Sequence, residues 1–181
     1  MKITYQGQNG FLLEANKSKV ICNPPADFDT DVEFATNSVP NQDASGFEAK
    51  KVLSLPGEFE ISKILVKGIY SDNRENVVFK IVSDDIAIAH MGAMTEIPTS
   101  KWLEDLGENV SLIMITVSEK LNARDAKELI DKIDPRYALV TGDATQFPKL
   151  TELGGQTSEE PTVTLSKSSL SEDRTDILLF S

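Results

Sequence analysis

A strand–helix–strand stretch in the second half of the chain constrains the fold most. The apolar run VSLIMITV (110–117) is typical of a strand that is buried on both faces. The amphipathic segment NARDAKELIDKID (122–134) follows, with Asn122 as the expected N-cap, and the strand RYALVTG (136–142) comes next. Two strands joined in this way lie parallel, with a right-handed crossover. The chain is therefore expected to contain a parallel pair of strands with a helix packed on them.

Short strands dominate the first half of the chain. Segment 50–71 predicts a strand, a turn at Pro56-Gly57 and a longer second strand, and 77–91 predicts a hairpin that turns at Asp84-Asp85. Trp102 is expected to pack a short helix on a sheet. The strand-rich first half and the alternating second half favour sheets covered by helices, in the α/β or α+β class. Further strands are expected at 2–15, 18–23, 31–37, 162–166 and 176–180, with a mobile Gly/Ser/Glu stretch at 153–160.

Composition limits the class of protein and its partners. The 181 residues suit a single domain (1–181), and a net charge of −11 works against binding to nucleic acid or an anionic membrane. The sequence contains no apolar run of about 18 residues, the length that a membrane-spanning helix needs. Its start lacks a signal-peptide core, and the single cysteine, Cys22, excludes an intramolecular disulfide. A cytoplasmic location is therefore expected.

Several motifs occur in an order that carries a family resemblance. They are KITYQGQNGFLLE (2–14), VICNPP (20–25), LPGEFE (55–60), IAIAHMGA (86–93) and the helix–strand segment 121–142. Together they resemble the metallo-β-lactamase superfamily, specifically its short bacterial branch related to ascorbate-6-phosphate lactonases. The resemblance implies a four-layer αββα sandwich of two mixed β-sheets flanked by helices. Most members bind two Zn²⁺ and hydrolyse esters, lactones, amides or phosphodiesters, because the metal lowers the pKa of bound water.

The family's metal-ligand positions carry other residues here. The family's His-x-His-x-Asp-His loop aligns with NSVPNQ (37–42), the aspartate of its His-Leu-Gly-Asp motif aligns with alanine, and the histidine of its Pro-Met-His motif aligns with glycine. A catalytic zinc usually needs about three thiolate, imidazole or carboxylate ligands. The resemblance therefore implies that zinc, other cofactors and catalytic residues are absent. The degenerate positions are Asn37, Val39, Asn41, Gln42, Ala93 and Gly142.

Three further positions are expected to line the same pocket. Gln8 replaces a family histidine, Asn23 replaces an aspartate, and His90 aligns with a family histidine that usually supports the ligands. An amide keeps a hydrogen bond without needing a cation to balance its charge. The amides therefore indicate either a retained polar network or simple drift among polar residues.

Other candidate residues have both a chemical and a structural interpretation. Glu58 and Glu60 have the spacing of a general acid/base pair on one strand face, or they belong to a structural turn. Asp43 and Asp143 either contribute to a Mg²⁺ or Ca²⁺ site or cap loops. His90 is a general base or, as we expect, a hydrogen-bonded histidine at a strand end.

The leading hypothesis is a zinc-free, non-catalytic protein of the metallo-β-lactamase fold that acts in binding or assembly. Self-association or a protein partner is expected, with no nucleic acid and no membrane, and the small-molecule ligand is unknown. The alternative hypothesis is a hydrolase of the same superfamily that acts on an ester, lactone or phosphoester with an atypical or single-metal site.

Overall fold

Two β-sheets packed face to face form the body of the molecule. The computed structural model describes residues 1–26, 28–29, 31–40, 51–166, 168, 170 and 174–181. Within that part of the chain the strands are β1 (Lys2–Tyr5), β2 (Phe11–Ala15), β3 (Ser18–Cys22), β4 (Phe34–Thr36), β5 (Val52–Leu53), β6 (Gly57–Ile61), β7 (Ile64–Tyr70), β8 (Val77–Ser83), β9 (Ile86–His90), β10 (Leu112–Val117), β11 (Tyr137–Gly142), β12 (Gly155–Thr157), β13 (Thr162–Thr164) and β14 (Asp176–Leu179). One sheet has the order β13-β1-β2-β3-β4-β5, and the other β12-β14-β11-β10-β9-β8-β7-β6.

Among the described residues, three α-helices accompany the larger sheet: α1 (Ser100–Leu106), α2 (Ala123–Ile133) and α3 (Phe147–Glu152). Thr99 caps α1, and the Asn122 side chain caps α2 by accepting from the backbone N–H groups of Arg124 and Asp125. The Trp102 indole donates to the Tyr70 carbonyl at 2.7 Å, which ties α1 to β7. Both predicted helices are confirmed. No helix in the described part of the chain is long and apolar enough to span a membrane.

The core has two main layers, one between the sheets and one between the larger sheet and its helices. Phe11, Phe34 and Phe79 lie in the first layer, and Trp102 and Leu129 in the second. Strand side chains alternate between the two layers because successive residues point to opposite faces. In β9, Ile86 and Ile88 point between the sheets while Ala89 points to the helices, so His90 lies on the inter-sheet face. The architecture confirms the predicted α/β sandwich of two mixed sheets.

The parallel core of the larger sheet is also as predicted. β10 pairs in parallel with β11 over Leu112–Val117 and Tyr137–Gly142, with α2 as the connection. β9 and β14 continue the parallel arrangement on either side, and β3 and β4 are parallel in the smaller sheet. The carboxyl ends of these strands carry most of the residues that align with the family's metal site.

Segment 50–71 is divided differently from the prediction. A hairpin turns at Ser62-Lys63 between β6 and β7, while Pro56-Gly57 marks the crossing from one sheet to the other. Ser62 and Lys63 have φ of 52° and 64°, a conformation that Asn-Gly or Asp-Gly usually adopts, so the sequence carries no turn signal there.

The end of the chain holds more regular structure than expected. Gly155–Thr157, placed in a mobile stretch by its composition, forms the edge strand β12, which pairs in parallel with β14. Helix α3 precedes it and has a proline in its first turn.

Candidate functional site

An asparagine–serine clasp joins two strand ends at the predicted pocket. The Asn23 side chain accepts from the Ser38 backbone N–H at 2.9 Å, and its Nδ2 donates to Ser38 Oγ at 2.9 Å. The backbone N–H of Asn23 also donates to the Thr36 carbonyl at 2.8 Å. Asn23 adopts the left-handed conformation with φ of 48°, which asparagine tolerates better than most residues. The clasp therefore fixes the ends of β3 and β4 without any charge.

A second amide side chain, that of Asn76, forms hydrogen bonds at the same edge within the larger sheet. Its Nδ2 donates to the Met91 carbonyl at 2.8 Å, and its Oδ1 accepts from the Ala93 N–H at 3.0 Å. Gly92 lies between them with φ of 63°, and a Cβ built there would collide with Asn76 Oδ1 and with Ser38. The Ser38 carbonyl in turn accepts from the Val77 N–H at 2.8 Å. The two sheets therefore meet around Ser38 in a close-packed, hydrogen-bonded unit.

The predicted metal positions lie on and around this unit where the structure describes them. Asn37 Oδ1 accepts from the Val39 N–H at 3.0 Å, and Val39 is 47 % exposed. Ala93 follows Gly92 and is exposed, while Gly142 ends β11 with φ of 107°. Asn37, Val39 and Ala93 thus come together, whereas Gly142 lies at the end of a strand two places along the sheet. Asn41 and Gln42 lie outside the described residues, as does Asp43.

The chemistry of the described donors does not fit a zinc centre. Of the four described positions, Asn37 offers a neutral amide, and Val39, Ala93 and Gly142 offer no side-chain donor. Among the described residues no group of three His, Cys, Asp or Glu is arranged to hold a metal ion. Zinc ligands need to be anionic or imidazole groups.

His90 is buried, but its environment differs from the one predicted. Only 1 % of the residue is exposed, and Nδ1 has no hydrogen-bond partner in the described structure, although a hydrogen-bonded histidine was expected. Burial lowers the pKa of His90 to about 4, because a charged imidazolium is unfavourable away from water. The imidazole is therefore neutral at pH 7.

Two further polar side chains lie on the same inter-sheet face. Burial raises the pKa of the Cys22 thiol to about 12, which makes it an inert thiol rather than a nucleophile. The Thr36 hydroxyl is fully buried on the neighbouring strand, directly opposite Cys22, and a hydrogen bond between the two side chains partly offsets the effect of burial on the pKa of the thiol. Cys22, Thr36 and His90 thus make the inner side of this edge neutral.

Gln8 does not join the network that was expected to include it. It lies exposed in the turn Gly7–Asn9 with φ of 47°. The turn needs left-handed backbone at consecutive positions, and this explains a polar residue there without a role in a pocket.

The other candidate acids are structural or exposed. Asp143 caps the short 3₁₀ helix Ala144–Gln146, and hydrogen bonds from the Thr145 hydroxyl and N–H lower the pKa of its carboxyl. The predicted loop-cap role of Asp143 is therefore observed. Glu58 and Glu60 are exposed on the outer face of β6.

Sequence reasoning missed two residues that organise the site. Ser38 lies within the aligned metal loop but between ligand positions, and Asn76 precedes a strand with no motif around it. Their roles depend on contacts across 15 residues or more, which no local pattern records.

Removing the clasp should destabilise the protein measurably. Asn23→Ala is expected to lower the free energy of unfolding by about 2 kcal/mol, because two partly buried hydrogen bonds are lost and alanine tolerates positive φ poorly. Urea denaturation gives the value. Asn109→Ala is the matched control, since Asn109 has φ of 64° and is exposed. An equal loss in both variants would mean that backbone strain, and not the clasp, sets the effect.

Comparison with known proteins establishes the family. A family model described as a beta-lactamase superfamily domain matches residues 2–141. The chain belongs to the metallo-β-lactamase superfamily. The predicted family is thereby confirmed, while the narrower lactonase-like branch stays a prediction. No curated protein sequence matches the chain significantly.

Solved structures share the fold at low sequence identity. A proposed Zn-dependent hydrolase of the superfamily from Thermotoga maritima is 18% identical, with a TM-score of 0.84, over 98% of this chain and 97% of the other. A proposed metal-dependent hydrolase from Parabacteroides distasonis is 12% identical, with a TM-score of 0.67, over 98% and 91%. An isothiocyanate hydrolase from Delia radicum gut bacteria is 10% identical, with a TM-score of 0.62, over 92% and 99%. Identities this low support a shared fold alone.

Proposed function

We propose that this chain is a zinc-free, non-catalytic member of the metallo-β-lactamase superfamily that acts in binding or assembly. One observation carries the proposal: the family's ligand positions at Asn37, Val39, Ala93 and Gly142 offer neither an imidazole nor a carboxylate. By sequence, Asn41 and Gln42 add amides only. A hydrolase of this superfamily needs a metal-bound hydroxide as nucleophile. Within this proposal, no residue of the chain has a catalytic role.

The neutral network at the same edge supports this proposal. In a zinc enzyme the ligands hold the strand ends together through the metal. Here the Asn23–Ser38 clasp and the Asn76 hydrogen bonds join the corresponding strand ends. A cluster of buried carboxylates and imidazoles without metal would be unfavourable, and amides avoid that cost. The edge thus keeps its shape for contacts other than hydrolysis.

The alternative is a hydrolase with an atypical or single metal. The structural neighbours named as hydrolases favour it at the level of the fold. A lactone-type substrate would follow from the lactonase-like branch, for which the Pro-Gly-Glu-Phe-Glu segment is the most specific sequence support.

A cytoplasmic location is proposed with either function, since the single Cys22 is buried and reduced.

Metal analysis combined with chelation tests the proposal. We expect protein purified without added metal to contain only traces of zinc, and EDTA to leave its melting temperature unchanged, because the apolar core is sufficient for stability. A screen of ester, lactone and phosphoester substrates should show no turnover with zinc, manganese or magnesium. Stoichiometric, tightly held metal or chelator-sensitive turnover would establish the alternative.

Self-association stays a prediction of its own. Many soluble proteins form symmetric homo-oligomers, and light scattering at high micromolar concentration should report a mass above that of the monomer. A strict monomer would remove this prediction without affecting the proposal about zinc.

A further inference from the structure

The Pro-Gly-Glu-Phe-Glu segment forms an edge strand with one open side. β6 ends the larger sheet and pairs with β7 but with no other strand in the described part of the chain. Its five residues run in continuous register from Gly57 to Ile61, without a bulge or an internal proline. An edge of this kind presents backbone N–H and C=O groups that a second extended chain can pair with.

The outer face of β6 carries two glutamates that form no ion pair within the described part of the chain. Glu58 and Glu60 are both exposed and lie opposite Lys67 and Leu65 of β7. The Lys67 ammonium forms no ion pair with Glu58 and instead donates to the Asp105 carbonyl, at the end of α1, at 2.7 Å. Neither glutamate forms an ion pair with any residue that the structure describes. Two adjacent negative charges therefore remain available at the edge.

The inner face of the same strand carries a positive charge. The Lys51 ammonium lies 5.7 Å from the centre of the Phe59 ring, whose side chain points to the opposite face from Glu58 and Glu60. Basic side chains of an added strand are therefore attracted on the outer face and repelled on the inner face. Because strand side chains alternate, this favours basic residues at every second position only.

A groove beside the glutamates can take the aliphatic part of a long basic side chain. It has a volume of about 420 Å³ and contains Leu65, which is 52 % exposed, next to the end of α1 at Leu106. Lys80, which also lines the groove, donates to the Leu106 carbonyl at 3.0 Å. The groove thus offers apolar contact beside Glu58, and the ammonium groups of the two lysines that line it, Lys67 and Lys80, are held on carbonyls at the end of α1. Lys and Arg have the matching form, an apolar stem with a charged end.

A second copy of this chain is a poor occupant of the edge. In a two-fold antiparallel pair centred on residue 58, 59 or 60, the registers that overlap the strand most, Glu58 of one copy lies opposite Glu58 or Glu60 of the other, or Glu60 lies opposite Glu60. Like charges directly opposite each other are destabilising. Each copy also brings a net charge of −11. The charges therefore favour a basic partner over a second copy.

We propose that β6 is a docking edge for an extended partner segment with basic residues at alternate positions, added as a ninth strand to the larger sheet. The backbone provides the pairing, and Glu58 and Glu60 select the partner. This inference does not depend on the loss of zinc, since it uses a different surface from the former metal site.

Peptide titration by calorimetry tests the inference. The probe is acetyl-Thr-Thr-Lys-Val-Lys-Thr-Thr-amide, and the control, acetyl-Thr-Thr-Lys-Lys-Val-Thr-Thr-amide, has the same composition with adjacent lysines. The probe should bind more tightly than the control. The double variant Glu58→Gln with Glu60→Gln should bind the probe about fivefold more weakly, the loss expected when two exposed ion pairs are removed. Glu104→Gln with Glu119→Gln removes the same charge from other exposed sites and should leave binding unchanged.

Backbone methylation distinguishes strand addition from simple charge attraction. N-methylation of the two lysine amides blocks one edge of the probe, and N-methylation of the central valine and its flanking threonines blocks the other. One of these two peptides should lose binding and the other should keep it. Equal binding of both methylated peptides, equal effects of the two glutamine pairs, or no binding of the probe would each overturn the inference.

Discussion

Gly142→Ala is expected to lower the free energy of unfolding by about 3 kcal/mol or more, the largest effect that we expect from a single substitution. Gly142 has φ of 107°, which is strained for any residue with a Cβ. A Cβ at this position would also collide with the backbone carbonyl of Val117 on the neighbouring strand. Backbone cannot move aside as a flexible side chain can, so strain and overpacking add. Urea denaturation of the purified variant measures the loss.

Gly154→Ala is the matched control for this prediction. Gly154 has φ of 98°, close to that of Gly142, but a Cβ there meets no atom within 4 Å. The control should therefore show the conformational strain without the collision, and its loss of stability should be clearly smaller. If the two variants are equally destabilised, the close approach of Gly142 to Val117 has no energetic weight.

The same geometry bears on any attempt to rebuild the family's metal site. The full restoration is His at 37, 39, 42 and 142 with Asp at 41 and 93. Histidine at 142 would need a backbone that accommodates a Cβ, and the present one does not. The full set should therefore be less stable than the set without the change at 142. Zinc stoichiometry and melting temperature of both sets, measured together, would show whether the backbone at 142 can adapt.

Local signals in the sequence were sufficient for the elements with strong periodicity or clear caps. The apolar run of β10, the Asn122 cap of α2 and the order β10–α2–β11 all appear as predicted. The hairpin at Ser62-Lys63 was not predictable, because neither residue is a usual left-handed turn residue. β12 was missed for a similar reason: its residues, Gly-Gln-Thr, carry no apolar strand pattern, and their pairing with β14 depends on distant residues.

The sequence predicted which residues lie at the site, but it did not predict the contacts between them. Aligned motifs placed Asn23, Asn37 and Ala93 together, and these three lie at the same edge in the structure. The partners that hold them, Ser38 and Asn76, have no motif of their own. Gln8 is a residue that alignment included and the fold leaves in an exposed turn. Contacts between strand ends depend on the sheet register, which is a property of the whole fold.

His90 should make the protein less stable as the pH falls. In the unfolded chain this histidine has a pKa near 6.5, whereas burial lowers its pKa in the folded protein to about 4. Between these values the unfolded state binds a proton that the folded state does not, so stability falls with decreasing pH from 6.5 to about 4 and levels off below. The shift corresponds to about 3 kcal/mol at the acid end of this range.

The variant His90→Gln isolates that contribution from the titration of the carboxylates. Glutamine fills a similar space and does not titrate, and the strand neighbours of residue 90, Phe79 and Met114, carry no charge that could compensate. The free energy of unfolding, measured in urea, should therefore decrease more between pH 7.5 and pH 4.5 for the natural chain than for His90→Gln. At pH 7.5 the glutamine variant should be less stable than the natural chain, because its buried amide loses hydrogen bonds to water. The difference in stability between the two proteins should narrow at pH 4.5, where the buried histidine becomes unfavourable. Parallel losses in both proteins would mean that the imidazole is solvated or paired in the folded state, and that this edge of the core is not the neutral environment described above.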